Sequence, residues 1–216
     1  MTVIRVCCIG DSITLGTGDA ALLGWPGRLA QAENSRGHEV TLYNLGIRAD
    51  TSQLIAARWL AECQSRLPDA FAGGLVFAFG VNDTAQEADG SLRVPLDQSV
   101  GNARRMMTQA STWKPTLWLG PMPVEERRMP ISIPGSPPRD FRNERIAALS
   151  RHYAAVAAEI GVPYLDLFAL LSGDRRWADL LADGDGVHPT GAGYAFLAEV
   201  LANWPAWRAW FDNRPR

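Results

Sequence analysis

The order of apolar and amphipathic segments predicts an α/β fold: a three-layer α/β/α sandwich around a five-stranded parallel sheet. Two observations carry this. First, five short runs are almost continuously apolar instead of alternating, the pattern of strands covered on both faces. They are 3–9, 39–44, 74–79, 116–120 and 162–165. Second, longer amphipathic stretches separate them, near 20–36, 51–66, 96–112 and 142–160, with a last one at 191–203. Gly37 and Gly161 follow two of these stretches, where a left-handed cap is expected. Strand and helix in alternation imply right-handed crossovers and helices on both sheet faces.

At 216 residues the chain suits one domain spanning 1–216, of flavodoxin-like type. The segment 121–140 fits none of these elements. It holds six prolines and reads as a long irregular loop, either functional or a tolerated surface insertion. Trp204, Trp207 and Trp210 recur at a spacing of three and are expected to dock the C-terminus on the core.

Composition narrows the function. Hydrophobic residues make up 47 % and charged residues 20 %, with a net charge of -2 and no basic tract, so a nucleic-acid partner is not expected. No apolar stretch is long enough to span a membrane. The N-terminus enters an apolar strand at once, without the basic and apolar regions of a signal peptide, so a cytoplasmic protein is expected. Cys7, Cys8 and Cys63 have no framework spacing. Cys7 and Cys8 lie inside the first strand, where packing is a better reading than nucleophilic chemistry. His38, His152 and His188 have no metal-ligand spacing, and no cofactor is expected. Homo-oligomerisation stays open.

In an open parallel sheet, ligands bind beyond the carboxyl ends of the strands. Gly10-Asp11-Ser12 follows the first strand, Asn44-Leu45-Gly46 ends the second, and Gly80-Val81-Asn82-Asp83 follows the third. Asp185-Gly186-Val187-His188-Pro189 follows the fifth, beyond a short helical stretch. Together these loops bring what acyl transfer needs. A serine hydroxyl becomes a nucleophile when an imidazole takes its proton, and an acid fixes that imidazole's tautomer. Ser12, His188 and Asp185 are the candidates. The oxyanion of the tetrahedral intermediate needs preorganised donors, and the Ser12 amide, the Gly46 amide and the Asn82 side chain can supply them. Asp11 and Asp83 read as structural, holding the loops through nearby amides. Trp25, Met122 and Ile131, together with Met129 and Ile133, are expected to form an apolar wall for the acyl group. Arg48 borders the same region.

These blocks resemble those of the GDSL, or SGNH, hydrolase family. Gly10-Asp11-Ser12-Ile13 is similar to its nucleophile block, with Ile in place of Leu. Gly46, Gly80-Val81-Asn82-Asp83 and Asp185-Gly186-Val187-His188-Pro189 match the other three in order, from residue 10 to 189. The resemblance implies a flavodoxin-like fold, a Ser-His-Asp site and an oxyanion hole from Ser12, Gly46 and Asn82. It implies ester hydrolysis in a broad sense, and the family's activities also include lysophospholipase, thioesterase and sugar deacetylase.

Other readings compete. The G-x-S-x-G elbow of α/β-hydrolases surrounds no serine here. Gly16-Thr17-Gly18-Asp19-Ala20-Ala21 fits a dinucleotide fingerprint, but it lies too far beyond the first strand, and the second strand ends in Asn44, not in an acid. A non-catalytic binding module on the same scaffold would not need the full set of site residues. The expectation is an esterase for small-molecule substrates with short or medium acyl or aryl groups.

Overall fold

The computed structural model describes residues 1–132 and 137–212. Five strands form one parallel sheet: β1 (Val3–Gly10), β2 (Glu39–Gly46), β3 (Gly73–Ala78), β4 (Thr116–Leu119) and β5 (Tyr164–Leu165). Their order is β2-β1-β3-β4-β5. The chain therefore reverses its direction of growth between β1 and β3, and a crevice opens at the carboxyl ends of those two strands.

The central strands are buried on both faces, completely so in β3 and β4. In β1, Ile4, Val6 and Cys8 pack into one apolar cluster, and Cys7 and Ile9 into another. Neighbouring strand residues point to opposite faces, which is why the adjacent cysteines part. The first cluster is closed by α2 (Gly24–Ser35), α6 (Leu167–Leu171), α7 (Arg175–Ala182), α8 (Gly191–Ala202) and α9 (Pro205–Asp212). On the other side lie α3 (Ser52–Gln64), α4 (Leu96–Trp113) and α5 (Asn143–Ile160). In α4 the buried residues Ala103, Met106, Met107 and Ala110 fall at i, i+3, i+4 and i+7, one stripe of a 3.6-residue period. Gly37 and Gly161 take positive φ, +83° and +80°, after their helices.

Three local readings gain detail. The stretch from residue 20 does not enter a helix until Gly24, because Asp19 draws the chain into a turn. Its carboxylate accepts the Ala21, Leu23 and Gly24 amides and pairs with Arg28. Of the C-terminal tryptophans, Trp207 and Trp210 ride on a helix, α9, and Trp204 precedes it. Trp207 is buried there and donates its indole N–H to the buried Glu33 at 2.9 Å, as expected for a tail docked on the core. The segment 121–140 is partly ordered by antiparallel bridges, Ile131 to Arg139 and Asp140 to Gln86. No helix of the described residues is long and apolar enough to cross a membrane.

Candidate active site

One turn beyond β1 sets the position of Ser12. Asp11 caps the four-residue helix α1 (Ser12–Leu15), its side chain accepting the Ile13 amide at 2.9 Å. The turn is tight against the sheet. A Cβ on Gly46 would stand 2.2 Å from the Leu15 nitrogen, and one on Gly10 2.2 Å from the Ala78 oxygen, so both positions need glycine for close approach. As the first residue of a helix, Ser12 has no intrahelical acceptor for its amide, which leaves that N–H for a ligand. The helical turn also separates β1 from Gly16, so the dinucleotide fingerprint does not open from the strand. Asn44 is already committed, donating to the Thr14 carbonyl at 2.9 Å.

His188 arrives from the far end of the chain. Its Nε2 lies 2.7 Å from Ser12 Oγ, across 176 residues of sequence. Its Nδ1 lies 2.7 Å from Asp185 Oδ2. The other carboxylate oxygen, Oδ1, accepts the backbone N–H of Val187 at 2.9 Å and of His188 at 2.7 Å. One aspartate thus shapes the loop and holds the ring. Gly186 permits so tight a loop by taking φ of +93°. Burial raises the Asp185 carboxyl, but the His188 ring and the two amides outweigh it and bring it down to about 2. It is charged throughout the neutral range.

Asn82 follows β3 on a short 3₁₀ turn, Val81–Thr84. Its Nδ2 donates to Asp11 Oδ2 at 3.1 Å, and its Oδ1 accepts from Arg93 at 3.3 Å. The carboxamide is therefore oriented from both ends, with its second N–H still to spend. Asp83, read as structural, accepts the Ser52 amide at 2.7 Å and the Ser99 hydroxyl, tying α3 and α4 to this turn. Ser12, Asn82 and His188 line one cleft of about 120 Å³. The Gly46 amide does not line it; in this state it donates to Asn44 Oδ1 at 3.0 Å.

The apolar wall keeps one of the residues expected for it and replaces the others. Ile131 lines the cleft, with Phe141 and Val187 beside it. Met122 instead sits behind the nucleophile turn, next to Asp11 and Ile13. Trp25 is 1 % exposed inside the core, because α2 turns that face onto the sheet. Met129 packs against the same core, and Ile133 lies outside the described residues. Arg48, Ala49 and Arg139 complete the lining. Sequence reasoning placed Arg48 at the border, but passed over Arg139, Phe141 and Val187.

Asp11 is missed as a link between blocks. It is buried, and burial pushes its carboxyl from 3.8 up to about 6, against the Ile13 amide, the His188 ring and Asn82. A carboxyl raised in the folded state contributes stability below pH 3.8 that is lost as pH rises through about 6. The size is about 3 kcal/mol. Asp11→Asn removes this titration. The stability of the variant minus that of the native chain should grow by up to that amount between pH 4 and pH 7, read from urea unfolding at each pH. Parallel profiles for the two proteins would show that Asp11 ionises as in the unfolded chain.

Comparison with known proteins agrees with the geometry. The model of the GDSL-like lipase/acylhydrolase family matches residues 8–196. Among solved structures, a lipase/acylhydrolase from Enterococcus faecalis superposes with a TM-score of 0.75 at 22 % identity, over 96 % of this chain and 97 % of that one. TesA gives 0.70 at 24 % identity, over 96 % and 99 %. A mutant of Axe2, an acetylxylan esterase from Geobacillus stearothermophilus, gives 0.71 at 19 % identity, over 97 % of each chain. No curated protein matches the sequence. At such identities the structures speak for the fold, while the family model spans every block from Ser12 to His188. By that match the chain belongs to the GDSL-like lipase/acylhydrolase family.

Proposed function

We propose that the protein hydrolyses small carboxylic esters through an acyl-enzyme on Ser12. The observation that carries this is the pair of 2.7 Å contacts that place the His188 ring between Ser12 Oγ and Asp185 Oδ2. In acylation, Nε2 takes the Oγ proton as Oγ attacks the ester carbonyl carbon. The bond from that carbon to the alcohol oxygen then breaks, and the alcohol leaves with the proton from Nε2. In deacylation, water attacks the acyl carbon and passes a proton to Nε2. The carboxylic acid departs, and Oγ regains its proton. Asp185 stabilises the imidazolium formed in each half. The Ser12 amide and the free N–H of Asn82 receive the oxyanion. The Gly46 amide joins them only by giving up its bond to Asn44.

The cleft favours short acyl groups. About 120 Å³ is less than the cavity that accepts a benzene ring, and far below a drug-sized pocket. Acyl chains of a few carbons fit against Ile131, Phe141 and Val187; long ones would have to leave the cleft. A panel of esters from acetate to decanoate, run beside acetylated sugars, tests this. Turnover should fall beyond the short acids. A maximum at long chains, or turnover confined to acetylated sugars, would replace the small-ester reading by a lipid or sugar one. Asn82→Ala should lower kcat roughly 10²- to 10³-fold, the scale of one oxyanion donor. A twofold effect removes Asn82 from that role.

A further inference from the structure

The polar lining of the cleft away from the nucleophile is cationic. Arg48 and Arg139 both line it, and among the described residues no acidic residue does. Arg48 makes no side-chain hydrogen bond or ion pair among the described residues, and it is exposed. Arg139 is different in kind. Its side chain is 12 % exposed, yet its Nε has no hydrogen-bond partner among the described residues. The nearest carboxylate oxygen, on Glu87, is 3.9 Å away and stands closer, at 3.5 Å, to Arg93. Arg93 is otherwise occupied, by Asn82 and by the Ala49 carbonyl. Burial and then the neighbouring Arg139 charge pull the Arg93 guanidinium below its ordinary value, the mark of two like charges held together. A buried guanidinium N–H without a hydrogen-bond partner is costly unless something supplies one. A neutral acyl chain would supply none.

We infer that the cleft selects esters carrying a second, anionic group, a carboxylate a few bonds from the scissile ester, which Arg139 and Arg48 receive. This rests on the ester-hydrolase reading of the same site and names its substrate class. A carboxylate matches the planar fork of a guanidinium, and the small cleft keeps the molecule short. Such a substrate arises from half-esterification of a dicarboxylic acid, or from acylation of a hydroxy acid. In both cases one end enters the Ser12 chemistry while the other meets the arginines.

Two substrate pairs test the inference on the intact chain. Monoethyl glutarate is compared with its neutral amide counterpart, which places the charge on the acyl side. 3-Acetoxypropanoate is compared with 3-acetoxypropanamide, which places it on the alcohol side. Hydrolysis is followed by NMR. The charged member of at least one pair should be preferred in kcat/KM by roughly 10- to 100-fold, the scale of charge-assisted hydrogen bonds. The preferred pair tells which side carries the charge. Arg139→Met should reduce that ratio below about fivefold. Arg48→Met, at an exposed position where folding is not at stake, should lower it as well. Ratios below fivefold in both pairs for the native chain, or a ratio unmoved by both substitutions, overturn the anion site while leaving ester hydrolysis standing. Absence of turnover for all four compounds, and for the simple esters of the panel above, overturns both readings.

Discussion

Ester turnover by Ser12→Ala should fall by roughly 10⁴- to 10⁶-fold, the scale seen when a serine nucleophile is removed from such a relay. The loss comes from chemistry, not from folding. Ser12 opens a one-turn helix whose entry is fixed by Asp11 through the Ile13 amide. Among the described residues, the side-chain hydrogen bond that the alanine gives up is the one to His188. Alanine also has the higher helix propensity, so the turn should persist. Three readouts separate the cases. Initial rates measure the loss, thermal unfolding checks the fold, and a fluorophosphonate probe should label the native chain once, at Ser12, and leave the variant unlabelled. Hydrolysis near the native rate in a folded variant would refute the acyl-enzyme on Ser12.

The central strands are legible in the sequence because both of their faces are buried. In β1 every residue from Val6 to Gly10 is buried, so its apolar run shows without regard to phase although Arg5 interrupts it. Helix ends are less legible where a side chain intervenes. Nothing in the periodicity from residue 20 onward shows that Asp19 gathers three amides and delays α2 to Gly24. The relay was legible for the opposite reason: its residues lie in short loops just after strands, and the topology then leaves them one place to meet. Asp185 and His188 are three residues apart, so their contact is nearly local.

The walls of the cleft were not legible. Ile131 and Arg139 face each other through a bridge across a proline-rich segment that has no periodicity to read. Trp25 is expected in the apolar wall beside the site, but α2 turns it into the core. The Asp11 to Asn82 bond joins residues 71 apart and depends on β1 and β3 being neighbours, which strand order alone decides. Local chemistry is written in the chain, whereas the shape around it is written in the packing.

Asp185→Asn should reduce kcat by about 10³- to 10⁴-fold with little change in stability, because the two oxygens of Asp185 do separate work. Oδ1 holds the loop through the Val187 and His188 amides, and an asparagine carbonyl can keep both bonds. Oδ2 faces His188 Nδ1, and there the substitution puts an N–H donor where an acceptor stood. The ring must answer with a bare Nδ1, which moves its proton to Nε2 and points a donor, not a base, at Ser12 Oγ. The native acid, held down to about 2, remains charged across the working range, so protonation cannot produce the same defect at ordinary pH. Asp185→Ala separates the two jobs, since it drops the amide anchors as well and should lose stability that the asparagine retains. The side chain is 46 % exposed, which lets water support the ring in part and sets the effect toward the lower figure. A fall of less than tenfold in a folded Asp185→Asn enzyme would mean that His188 keeps its tautomer without this carboxylate, and that Asp185 serves the loop alone.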